Sequence, residues 1–161
     1  MQPFVEISVT NNCEMDRTEG VFALKAIAAN FVEALDRLRQ QFPKHIVTVG
    51  GSCGTEAARV TYLNETYNGN MAIIWFDAHG DLNTPASSPS GHFHGMVLRT
   101  LLGNGPTSLV QHLRLPLMPK QVFLVGTRDL DVSITTLMKL TYLLPEARKL
   151  WRLQGSAFVP I

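Results

Sequence analysis

Six consecutive apolar residues, Met71 to Phe76, run directly into Asp77-Ala78-His79-Gly80-Asp81. A short unbroken apolar run, entered from the turn signal Asn68-Gly69, reads as a strand buried on both faces of a parallel sheet. A strand with one wet face would alternate instead, and six residues are far too few to span a bilayer. Gln121 to Val125 is a second run of this kind and passes into Gly126-Thr127-Arg128-Asp129-Leu130-Asp131. His45 to Val49 is a β-branched stretch that breaks at Gly50-Gly51-Ser52-Cys53. Helical periodicity fills the intervals. Leu24, Ile27, Phe31, Leu35 and Leu38 form one apolar stripe, which predicts a helix over 21–42 halted by Pro43. Further helices are expected over 54–65 and 96–102, and two more over 134–144 and 146–153, with no buried strand after Val125. Strands separated by helices give an α/β layer fold with a parallel sheet.

A chain of 161 residues fits one domain with a sizeable core. Charged residues are 17% of the chain, against roughly 25% in an ordinary soluble domain, which suggests that some surface is covered and leaves self-association open. The net charge of +1 provides no footprint for nucleic acid or an anionic membrane. Cys13 and Cys53 form no CxxC pair, and the first residues lack a basic segment followed by an apolar one, so the expected compartment is the cytoplasm. Asn64-Glu65-Thr66 matches a glycosylation sequon, read here as chance. No phosphate-binding glycine motif is present.

The chemistry concentrates where the strands end. Four of the six aspartates lie in two short segments, as Asp77 with Asp81 and Asp129 with Asp131. In open parallel sheets, functional groups collect beyond the C-terminal strand ends. If strand geometry persisted past Phe76, the alternation of Asp77, His79 and Asp81 would put all three side chains on one side. Two carboxylates and an imidazole suit Mn²⁺ or Zn²⁺ in a hydrolytic site, although a turn-capping aspartate and a satisfied loop histidine fit the same string. His92 and His94 lie in the same connection as His79, and a long loop folding back would bring His94 beside the metal as a proton shuttle.

Asp77-Ala78-His79-Gly80-Asp81-Leu82-Asn83-Thr84-Pro85, followed by Ser90-Gly91-x-x-His94-Gly95-Met96, resembles the arginase/agmatinase (ureohydrolase) family. The glycine pair at 50–51 and the segment 128–131 resemble two further family segments in order. The resemblance implies a three-layer α-β-α domain with a mostly parallel sheet and two Mn²⁺ ions. Their activated hydroxide would hydrolyse a linear guanidino or amidino C–N bond and release urea. By the same resemblance Asp77 bridges the ions, while His79 and Asp81 each ligate one. His94 shuttles protons, and Asn83, Ser90, His92 and Asp131 hold the small substrate.

Two departures accompany these matches. Cys53 stands where the family has a histidine ligand, and as a thiolate it would favour Zn²⁺. No aspartate follows Asp131, although the family's last metal motif is an aspartate pair. The expectation is therefore a single arginase-like domain over 1–161 that lacks the family domain's C-terminal part. It would be either a ureohydrolase or an impaired relative that binds only metal or a partner subunit. A deacetylase-like zinc hydrolase is a third, weaker alternative, disfavoured by the Ser90-to-Gly95 motif.

Overall fold

The computed structural model describes residues 4–8 and 16–129, together with the backbone of 158–160. Strands β1 (Arg17–Thr18) and β2 (Val21–Phe22) form a small antiparallel ribbon. Glu19 and Gly20, both at positive φ, supply the tight turn that a two-residue hairpin requires. Helix α1 (Leu24–Gln41) follows. It begins three residues later than periodicity suggests, because Val21 and Phe22 are used in the ribbon. It ends with Phe42 in the left-handed conformation, whose N–H bonds the Leu38 carbonyl just before Pro43. Leu24, Phe31 and Leu35 are its buried stripe.

After a 3-10 turn at Cys53–Thr55, helix α2 (Glu56–Thr66) packs against α1. The Arg39 guanidinium binds both carboxylate oxygens of Glu65 across that contact. Strand β3 (Ile73–Phe76) leads through a long connection to strand β4 (Val122–Val125). The connection holds a 3-10 turn (Phe93–Met96) and the short helices α3 (Val97–Leu101) and α4 (Thr107–Val110). β3 and β4 pair in parallel, Ile73 opposite Val122 through Phe76 opposite Val125. β5 (Phe158–Pro160) adds antiparallel to β4, giving the order β3-β4-β5. That strand is a correction. Three residues ending in proline carry too little periodicity to be recognised, and their strand character comes from pairing with β4.

Two further expectations change. Ile73 and Trp75 are buried with Val122, Leu124 and Leu98, but Ile74 and Phe76 are 57% and 78% exposed, so among the described residues β3 is covered on one face only. The apolar run reports that both faces avoid polar residues, not that both are covered. Residues 45–49 form no strand among the described residues, and Val47 and Val49 are exposed. β-branched residues favour a strand only where a neighbour completes the ladder. The two helices expected over 134–153 lie outside the described residues.

A buried amide pair fixes the sheet's entry end. Gln121 donates to Asn64 Oδ1 at 2.9 Å, to the Gly69 carbonyl at 3.0 Å and to the Met71 carbonyl at 3.2 Å. Asn64 Nδ2 in turn donates to the Leu115 carbonyl at 2.8 Å. The end of α2, the approach to β3 and the start of β4 are thereby tied together. The sequon asparagine is 1% exposed, so the folded chain does not present it for glycosylation.

Candidate metal centre

Beyond β3 and β4 the two chains continue side by side. Asp77 N–H donates to the Val125 carbonyl at 3.1 Å, and the Arg128 and Asp129 N–H groups both donate to the Ala78 carbonyl at 2.9 Å. Strand geometry does not persist past Phe76, which corrects the simple alternation. His79 N–H folds back onto Asp77 Oδ1 at 2.9 Å, and Asp81 sits at φ 51°. The left-handed region is uncommon outside glycine but open to aspartate, whose short polar side chain tolerates it.

That turn decides which side chains meet. Cys53, Asp77 and Asp81 converge, with one ligand atom from each lying within 4.8 Å of the others. Cys53 Sγ donates to Asp77 Oδ2 at 3.4 Å. The cysteine is carried there by the 3-10 turn before α2, which Ser52 caps by accepting from Gly54 N–H. Gly50 allows the turn to close, since a Cβ there would collide with the Thr55 side chain.

His79 stands outside this group of three. Its side chain is 62% exposed, with Nδ1 3.4 Å from Asp77 Oδ1 and Nε2 3.7 Å from Asp129 Oδ2. Asp129 therefore faces His79. Arg128 Nη1 donates to the Gly126 carbonyl instead.

The electrostatics follow from crowding acids out of water. Asp81 is 5% exposed, and its Oδ2 is buried without a hydrogen-bond partner. Burial, then the neighbouring Asp77 charge, pushes its carboxyl up to about 6. Burial, then the charge of Asp81, pushes the Cys53 thiol up to about 12. A divalent cation among the three donors would invert this logic, because it becomes the largest local charge. Two carboxylates, one with an orphaned buried oxygen, and a thiol fit one such ion.

The remaining candidates line the adjoining loop. Asn83 is buried, its Oδ1 accepting from Ser87 Oγ at 2.9 Å and its N–H donating to the Gly95 carbonyl at 3.0 Å. Ser90 Oγ accepts from His92 N–H at 3.3 Å. His92 and His94 are exposed and stacked on each other, ring centroids 5.7 Å apart, and neither joins the three-donor group. Phe22 stacks on His92 at 5.1 Å, and the Arg17 guanidinium lies 4.4 Å over Phe22 while bonding the Ser90 carbonyl at 2.8 Å. Nothing in the sequence marks Arg17 or Phe22 as loop supports, since the contacts span about seventy residues and the helical pattern absorbs Phe22. Asp131 lies outside the described residues.

A parallel-sheet α/β fold with cation donors gathered beyond its strand ends defines the class. Comparison with known proteins makes it specific. The arginase family model matches residues 3–157. The arginase of Staphylococcus aureus is 44% identical over 85 residues, covering 53% of this chain and 28% of the relative. That of Entamoeba histolytica is 32% identical over 134 residues, covering 80% and 42%. The crystal structure of the Bacillus subtilis arginase superposes with a TM-score of 0.77 at 28% identity, covering 92% of this chain and 51% of that one. This chain belongs to the arginase family and has the α/β arginase fold. It spans less than half the length of the curated relatives named here.

Proposed function

We propose that this protein is a metal-dependent hydrolase of guanidino C–N bonds of the ureohydrolase type, releasing urea from a small linear substrate. The observation carrying this reading is the convergence of Cys53, Asp77 and Asp81 at the strand ends, inside the segment that carries the family motif. Asp77 and Asp81, with Cys53, would hold a divalent ion. The family resemblance gives Mn²⁺ as its expected identity and implies a second ion, to which His79 is assigned. When bound, such an ion supplies the Lewis acidity that makes water a competent nucleophile near neutral pH. Asp77 orients the turn through His79 N–H, and His79 is held between Asp77 and Asp129.

His94 is assigned the proton transfer to the leaving nitrogen, and the His92 ring stacked on it, itself stacked on Phe22, restricts its orientation. Asn83, Ser90, His92 and Asp131 are assigned to the substrate's polar end, with Ser87 fixing the Asn83 amide. The substrate scope proposed includes arginine, agmatine and related amidines, and the compartment proposed is the cytoplasm. Among the described residues no helix is long and apolar enough to cross a membrane.

The test is urea release from arginine and from agmatine by the purified 161-residue chain under saturating Mn²⁺ or Zn²⁺, with Asp77→Ala alongside. Turnover lost in Asp77→Ala together with the bound metal supports the hydrolase. Stoichiometric metal with no urea from either substrate favours a second reading, a family member that binds metal or a partner subunit without turnover. That reading is favoured by the inventory of donors. Among the described residues, three donors converge.

A further inference from the structure

The donor set is not one of hard oxygens and imidazole alone, because a sulfur stands in it. We propose that Cys53 ligates the ion as a thiolate and that the centre is thereby tuned toward Zn²⁺ and away from Mn²⁺. This rests on the metal-site reading above.

Three observations lead to it. Cys53 Sγ, Asp77 and Asp81 each offer a ligand atom within 4.8 Å of the other two, so one cation can contact all three. The buried Asp81 Oδ2 has no hydrogen-bond partner, and a polar atom so placed calls for a ligand. His79, the borderline nitrogen donor nearest by sequence, is turned outward between Asp77 and Asp129, leaving the thiol as the third donor of the group. Thiolate sulfur bonds Zn²⁺ and Co²⁺ well and Mn²⁺ poorly, because the harder ion gains little from a polarisable donor. Ligation replaces the S–H bond by an S–metal bond and passes the proton to solvent. No electron changes hands.

Any site of this kind favours Zn²⁺ over Mn²⁺ to some degree, so the informative quantity is the change on replacing the sulfur. The full chain is loaded with Co²⁺ as a spectroscopic probe, and separately equilibrated with Zn²⁺ and Mn²⁺ together before metal analysis. The wild type should show an ultraviolet sulfur-to-cobalt charge-transfer band. In Cys53→Ser that band should vanish while the weaker visible cobalt bands remain. Replacing sulfur by a hard oxygen in Cys53→Asp should lower the Zn²⁺-to-Mn²⁺ ratio by about tenfold or more. Zn²⁺ should also slow iodoacetamide labelling of Cys53 but not of Cys13.

Bound cobalt without the charge-transfer band, and Cys53 labelled equally fast with and without metal, would overturn thiolate ligation and leave an Asp77–Asp81 site standing. No stoichiometric metal in the wild type would overturn both readings.

Discussion

Replacing Asp81 by Asn should stabilise the metal-free chain at pH 7, with most of that gain gone by pH 4. Burial and the Asp77 charge raise the Asp81 carboxyl from its ordinary 3.8 to about 6 in the folded chain. Below the unfolded value both states are protonated, and the group contributes no difference. Between the two values the folded chain keeps a proton that the unfolded chain has lost, so stability falls as pH rises. Above pH 6 both are ionised and the full penalty persists. A shift of about two units corresponds to nearly 3 kcal/mol, reduced to about 2 kcal/mol by the water that still reaches the site edge.

An asparagine carries no charge there, so the variant should gain about 2 kcal/mol near neutrality, roughly thirtyfold in the folding constant. The assay is urea denaturation with chelator present, from pH 4 to 7.5, wild type against variant. Two stability curves that run parallel across that range would refute the reasoning. With Zn²⁺ added the order should reverse, because the wild type gains stability from the ion it binds and the variant loses a ligand.

Other consequences are local. Gln121→Ala removes the donor to Asn64, Gly69 and Met71 inside the core and should cost about 2–3 kcal/mol in urea denaturation, with the slope unchanged. Gly50→Ala drives a methyl into the stiff Thr55 side chain and should cost about 1–3 kcal/mol; with Thr55→Ser also present, part of that loss should return. Phe22→Ala breaks the stack on His92 and should cost about 1 kcal/mol, and histidine-ring NMR shifts should move at His92 and His94 but not at His112.

The site was legible in the sequence where neighbours along the chain carry it. Asp77 and Asp81 are four residues apart and end one strand, so their meeting needs only a turn. Cys53 was legible by its place after the glycine pair. His79 shows the limit of such reading. Period-two alternation aims it alongside Asp77 and Asp81, but the bond from its own N–H to Asp77 Oδ1 bends the backbone and turns the ring toward Asp129. The Phe22–His92 stack was illegible for a different reason, since an aromatic contact about seventy residues apart leaves no local pattern.

By itself the sequence determined the alternation of helix and buried strand, the sheet edge where the acids gather and the family, because periodicity and a contiguous motif are properties of neighbouring residues. Among the described residues, only the tertiary structure decided that β3 is covered on one face, that residues 45–49 form no strand, that β5 closes on β4, and that a sulfur rather than the histidine joins the two carboxylates. Each of these depends on which distant segment arrives at a given surface, and pairing, burial and coordination exist only between groups already brought together.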